Sequence, residues 1–163
     1  MTMDDILARG AKAGVLLKAR KETIAVSESS TGGLISAALL SVGGASAYFI
    51  GGGVIYTGAS RKALLQIPDD AMRGMRGASE PYALLSARTV RANCGAVWGV
   101  GETGATGPAG NRYGDAAGHS CIAVVGPRER AITLETGSAD RIANMYAFTV
   151  RALDLLIEAL EQK

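Results

Sequence analysis

The sequence predicts an α/β protein, a three-layer α/β/α sandwich on a largely parallel mixed sheet. Three observations point there. Stretches with apolar residues at helical spacing alternate along the chain with short, buried-looking apolar runs. The 163 residues are the length of one ordinary domain, and 48% of them are hydrophobic. Glycine is abundant (22 residues) and aromatics are few (5%), which suits backbones packed closely between layers.

The elements follow in order. "DDILARGAKAGVLLKARK" spaces its apolar residues as a helix does, with Asp4 or Asp5 placed to cap it. "TIAVSE" reads as a short buried strand, and residues 32–41 as a helix. "YFIGGGVIYT" reads as a strand whose glycines mark a bulge or a close backbone neighbour. "SRKALLQI" is a short helix. "SEPYALLSARTVRANC" is a longer one, with Ser79 as cap and Pro81 in the first turn, where its missing N–H costs little. "AVWGVGE" is a strand leading into the long loop "TGATGPAGNRYGDAAG". "HSCIAVV" and "AITLET" are strands close enough to form a hairpin, and a helix runs from Asp140 to Leu160. No internal repeat or linker interrupts this order, so residues 1–163 are expected to form a single domain.

Composition narrows the function. The formal charge of +2 with dispersed basic residues argues against a nucleic-acid surface. The longest apolar run is broken by small polar residues and glycines, so no membrane span is expected, and no signal-peptide pattern opens the chain. Cys94 and Cys121 fit no metal or redox spacing and read as reduced core thiols of a cytoplasmic protein. No cluster of His, Cys, Asp and Glu suggests a metal, and no Walker or dinucleotide fingerprint suggests a cofactor. None of either is expected. The one histidine, His119, opens a strand and reads as a satisfied structural residue.

Sites on such sheets form where the chain leaves the carboxyl ends of strands. Three loops qualify: "ESSTGG", "YTGAS" and "ETGATGPAGNRYGD". All are rich in hydroxyls and glycine. The first opens a helix, so its N–H groups can hold an oxygen ligand; alternatively Thr31 simply caps the helix. With histidine and metal set aside, hydroxyl nucleophiles activated by Lys, Tyr or Arg remain. "GGASAYFIGGGVIYTGASRK" offers Ser46, Tyr56, Ser60, Arg61 and Lys62. Ser46, after Gly43 and Gly44, approaches the G-x-S-x-G elbow but has Tyr48 in place of the last glycine.

Together, "VSESSTGG", "GASAYF", "GGVIYTGASR", "SEP", "GETGATGPAG" and "DR" resemble, in order and spacing, the pattern of the CinA C-terminal domain family. The resemblance implies a three-layer α/β/α fold and a metal-independent serine amidohydrolase, which cleaves nicotinamide mononucleotide to nicotinic acid mononucleotide and ammonia. It also implies the stand-alone form, without the second domain of larger CinA proteins. Carried onto this chain, it makes Ser46 the nucleophile, with Tyr56, Arg61 and Ser29 in the catalytic group. Ser30, Thr31, Gly32, Gly33, Thr103, Gly104, Arg112 and Arg141 become the substrate-binding candidates. The partner implied is a small-molecule amide. Apolar faces such as "LISAALL" suggest a homo-oligomer. Two departures stand out. Ser30 replaces a family cysteine, and Arg61 replaces the family lysine, whose amine a guanidinium cannot match as a base. Arg112 and Asp115 also distinguish the long loop. A different small amide or lactam, or a non-catalytic binding role, are the alternatives.

Overall fold

The structure, a computed structural model, describes residues 1–162. Helix α1 is Met3–Arg20, strand β1 Ile24–Glu28, α2 Leu34–Leu40 and β2 Phe49–Val54. A short helix, α3 (Gly58–Ser60), runs straight into a π-type turn at Arg61–Leu65. Then come α4 (Glu80–Cys94), β3 (Trp98–Ala105), β4 (His119–Val125), β5 (Glu129–Glu135) and α5 (Arg141–Glu161).

Caps explain the boundaries. Thr2 and Asp5 form a reciprocal capping box on α1, Ser79 accepts from Tyr82 N on α4, and Asp140 accepts from Ala143 N on α5. Helix α4 ends at Gly95 in the left-handed conformation (φ 61°), which glycine adopts without penalty.

The five strands are ordered β2-β1-β3-β4-β5. β1 pairs in parallel with β2 and with β3; β3–β4 and β4–β5 are antiparallel. The expected hairpin is β4–β5. The second antiparallel pairing was not anticipated: the long loop turns the chain back beside β3 instead of crossing over the sheet. Helices α1, α2 and α5 cover one face and α4 the other. Alternation along the strands divides the core between the two faces. Ile24, Val26, Trp98, Val100, Ile122 and Val124 join the cluster under α1, α2 and α5. Ala25, Cys121, Ala123 and Val125 turn toward α4. That second layer is thin because Gly99 and Gly101 of β3 face the helix backbone: a Cβ at either would collide with Ala87 O or Ala83 O. Cys121 is buried and Cys94 half-buried, and both are free. Among the described residues no helix is long and apolar enough to cross a membrane.

Candidate active site

The turn after β1 is wired from inside. The Glu102 carboxylate, on β3 beside the end of β1, accepts from Ser29 N (3.0 Å), Thr31 N (3.1 Å), Thr31 Oγ1 (3.0 Å), Ser120 Oγ (3.2 Å) and the Ser30 hydroxyl. Glu28 accepts from Thr31 Oγ1 (2.7 Å), Ile35 N (3.0 Å), Ser36 N (2.9 Å) and Ser36 Oγ (2.6 Å). The donors that open α2 thus serve the protein's own carboxylates. Burial pushes the Glu102 carboxyl up, against the lowering effect of the Ser30 hydroxyl and the Ser29 and Thr31 donors. Ser30 and Thr31 are buried in this network, and Gly32 and Gly33 supply its positive-φ corner (66° and 101°). These four residues, expected to bind substrate, instead build the turn and do not line the cleft.

Ser29 is the residue of that turn that does face outward. It lies in a cleft of about 480 Å³ at the carboxyl ends of β1 and β2. Its hydroxyl makes no hydrogen bond to another described residue, so it is available to a ligand. Tyr56, Thr57, Gly58 and Arg61 bring the segment after β2 to the cleft; Thr103 and Gly104 bring the end of β3. Thr103 Oγ1 also accepts from Ala78 N (3.3 Å), which fixes the approach to α4. Asn111, Arg112 and Tyr113 of the long loop form the remaining wall, with Tyr82 of α4. All three loops singled out in the sequence therefore meet at one sheet end.

The long loop is held in place. Arg76 pairs with Asp115, Asn111 Nδ2 donates to Asp115 Oδ2 (2.8 Å), and Asn111 Oδ1 accepts from Tyr113 N (2.9 Å) and Asp115 N (3.1 Å). His119 is buried and its ring nitrogens face Glu135 and Ala78 O. Burial works against its protonation, but the Glu135 and Ala78 partners hold its pKa above the ordinary histidine value. It is a latch at the loop's foot and does not line the cleft.

Arg61 is committed. Its Nε donates to Ile67 O (3.3 Å), its Nη2 pairs with Asp69, and its side chain is 11% exposed. Lys62 pairs with the same Asp69 (3.1 Å) and does not line the cleft. Arg141 sits at the rim, donating to Gly107 O (2.7 Å) and to the Tyr56 hydroxyl (3.3 Å). Arg112 donates to the Tyr113 hydroxyl (2.9 Å), with its guanidinium 5.0 Å from the ring centroid. The Arg112 hydrogen bond leads the effects that hold the Tyr113 phenol below its ordinary range, against a smaller cost of burial. Burial pushes Tyr82 the other way.

Ser46 is elsewhere. It is exposed on a single 3₁₀ turn, Ala45–Ala47, just before β2, whereas the cleft opens just after that strand. The six residues of β2 separate them by about 20 Å at the rise of an extended chain. Within one chain Ser46 and Thr103 stand at opposite ends of the sheet, and the expected Ser46–Tyr56 pairing does not form. Glu28, Glu102, Tyr82 and Tyr113 escaped the sequence reading. A carboxylate closing a buried strand ahead of a hydroxyl-rich turn was the signal available for the first two.

The CinA C-terminal domain family model matches residues 8–160. A CinA-like protein of Anaeromyxobacter dehalogenans is 38% identical over 146 residues, covering 88% of this chain and 35% of that protein. One from Salinibacter ruber is 35% identical over 156 residues, 93% of this chain and 38% of that protein. The chain thus spans little more than a third of the length of these curated relatives. Among solved structures, the competence/damage inducible protein CihA from Agrobacterium tumefaciens superposes with TM-score 0.88 at 26% identity, covering 97% of this chain and 96% of that one. A CinA superfamily protein from Escherichia coli reaches 0.89 at 20% identity, covering 98% and 93%, a likeness of fold.

Proposed function

The chain belongs to the CinA C-terminal domain family, and from that premise we propose that it hydrolyses a small carboxamide, with nicotinamide mononucleotide the first substrate to test. The observation that carries the reading is the unpartnered Ser29 hydroxyl in a cleft walled by Tyr56, Tyr82, Tyr113 and Arg112. Glu102 accepts from the Ser29 N–H, while the Ser29 side chain stays outside that network. In this mechanism Ser29 Oγ attacks the amide carbon and its proton passes to a phenolate. Tyr113 suits that role, because Arg112 lowers its pKa. Arg112 stands beside the developing oxyanion. The phenol then protonates the leaving nitrogen, ammonia departs, and water attacks the acyl-serine to release the acid and restore Ser29. Aromatic and basic walls also suit a planar ring bearing a phosphate.

A second reading rests on one observation: among the described residues no amine, imidazole or carboxylate lines the cleft. A family member in which Arg61 is tied to Asp69 can bind the ligand without turning it over. Ammonia release by the purified protein, over a panel of amides that includes nicotinamide mononucleotide, decides between them. The amidohydrolase reading expects release that Ser29→Ala reduces by at least 100-fold without loss of fold. Tight calorimetric binding with no release from any amide would establish the binding role.

A further inference from the structure

His119 is the only histidine of the chain, and its ring lies between two groups that can only accept. Nδ1 faces the carboxylate of Glu135, its cross-strand partner on β5, and Nε2 lies 2.9 Å from Ala78 O. A neutral imidazole carries one N–H and serves one of them; the imidazolium carries two and serves both. The other groups around the ring do not supply the missing proton. Burial pushes the thiol of Cys121, 3.5 Å from Nε2 on the same strand, up and so keeps it neutral. Asp115 of the long loop is 3.7 Å from Nε2 and is paired with Arg76. From α4, Glu80 is engaged by the Thr133 hydroxyl (2.7 Å).

Ala78 belongs to the cleft. Its N–H donates to Thr103 Oγ1 (3.3 Å), and Gly77, Ala78, Thr103 and Tyr113 all line the cavity. Its φ of 49° lies in the left-handed region, where an alanine stays only while neighbouring bonds hold it. The Gly77 backbone lies against the Tyr113 hydroxyl, which a Cβ at Gly77 would approach to 3.2 Å.

We propose that His119 clamps the cleft wall only while it is the imidazolium: protonated, it ties Ala78 to Glu135, and on losing a proton it releases Ala78 O, so that the wall of Gly77, Ala78 and Tyr113 loosens as pH rises. The partner released is Ala78 and not Glu135, because a hydrogen bond to a charged acceptor is the stronger. Nε2 then turns a lone pair on a buried carbonyl, and the Ala78 peptide rotates away from it, drawing its N–H from Thr103. Burial opposes protonation of the ring, but the Glu135 and Ala78 partners hold its pKa above the ordinary histidine value. The clamp is therefore complete below the ordinary histidine range and is lost as pH passes the raised value of the folded chain. A looser wall holds a ligand less firmly, so affinity should fall with rising pH, a trend opposite to the turnover of bound amide as Tyr113 ionises. That consequence rests on the cleft being the ligand site; the clamp does not.

Nuclear magnetic resonance tests the clamp without ligand or turnover, since one histidine gives one set of ring signals. The His119 midpoint should lie above the value of about 6.5 for an ordinary histidine. Above that midpoint the ring ¹⁵N shifts should show Nδ1 protonated and Nε2 bare. The Ala78 and Tyr113 amide signals should shift with the same midpoint, and backbone order in residues 76–78 and 111–115 should fall above it, while the 126–128 turn stays as it was. Glu135→Gln, at a side chain 59% exposed, offers the neutral ring a donor. Nδ1 can then accept from the new amide while Nε2–H stays on Ala78 O. This variant should fold, titrate His119 at lower pH, show the opposite tautomer, and keep the wall ordered over the range where the native wall loosens. A native midpoint at or below the ordinary value, Ala78 and Tyr113 signals that ignore the His119 titration, or a Glu135→Gln wall that loosens as the native one does would each overturn the clamp. Absence of ammonia release from every amide would leave these signals unchanged and count against the amidohydrolase reading alone.

Discussion

Glu102 is buried at the crossing of β1 and β3, and its two oxygens differ. Oε2 faces the N–H groups of Ser29 and Thr31, which can only donate, together with the Thr31 hydroxyl; Oε1 faces only the hydroxyls of Ser30 and Ser120, which can also accept. A proton therefore fits at Oε1. Since burial raises its pKa, the folded chain retains this proton at pH values where the unfolded chain has lost it, and stability from this group declines as pH rises above the ordinary carboxylate range. Glu102→Gln places an NH₂ at Oε1 and should fold, with a flatter dependence of urea-unfolding free energy between pH 5 and 8 than the native chain. The difference in slope is bounded at about 1.4 kcal/mol per pH unit. Glu102→Leu strands the donors, at about 1–3 kcal/mol for each one left without water, and should read as a large fall in the urea midpoint. At the cleft, Tyr113→Phe should lower hydrolysis by about 10²–10⁴-fold if the phenolate is the base. The native rate should rise with pH as Tyr113 ionises, and the variant's should not. The sequence shows the three loops of the cleft because loops at strand ends announce themselves by composition, and the family resemblance picks out Ser29, Tyr56, Arg61, Thr103, Gly104 and Arg112 within them. It hides Glu102's role: a carboxylate near the end of a buried strand is visible, but its contact with the Ser29–Thr31 turn arises only from the adjacency of β1 and β3. Ser46 is placed apart from the cleft by the same kind of long-range fact: the polarity of β2 sends its turn to the other end of the sheet within one chain.

At the scale of elements, the alternation of helical and extended segments was legible throughout, since the periodicities of 3.6 and 2 reflect which face is buried. The β4–β5 hairpin could be read from its short connection. The reversal between β3 and β4 could not, because a 13-residue loop can either cross over a sheet or fold back, and here ties such as Arg76–Asp115 hold it folded back. The glycines of β3 carried a meaning the sequence only hinted at. At Gly99 and Gly101 the α4 backbone occupies the space a side chain would need, so the helix rests directly on the strand. Gly101→Ala should therefore destabilise by about 1–3 kcal/mol or more through overpacking, measured by thermal or urea unfolding. Gly58→Ala, at a position with open space around it, serves as the control and should shift the midpoint far less.

For the whole molecule, the cleft gathers segments from three parts of the chain at one end of the sheet, while Trp98 and Arg128 lie at the other. A ligand that binds there should slow amide hydrogen exchange across residues 55–61, 77–82 and 103–113 and leave the 126–130 turn unchanged. Nicotinamide mononucleotide is the first compound to add, and uniform exchange with and without every amide tried would dissociate the cleft from small-molecule binding. Helix α5 has another consequence, one that concerns synthesis. Phe148, Leu153, Leu155, Leu156 and Leu160 all come from it, and it packs along α1 and over the sheet. Until residues 141–161 have left the ribosome, the apolar side of Val100, Ile122 and Val124 lacks the helix that packs over it, although α1 and α2 are already made. The core cluster is therefore complete only when α5, the last element of the fold, is available to pack along α1 and over the sheet.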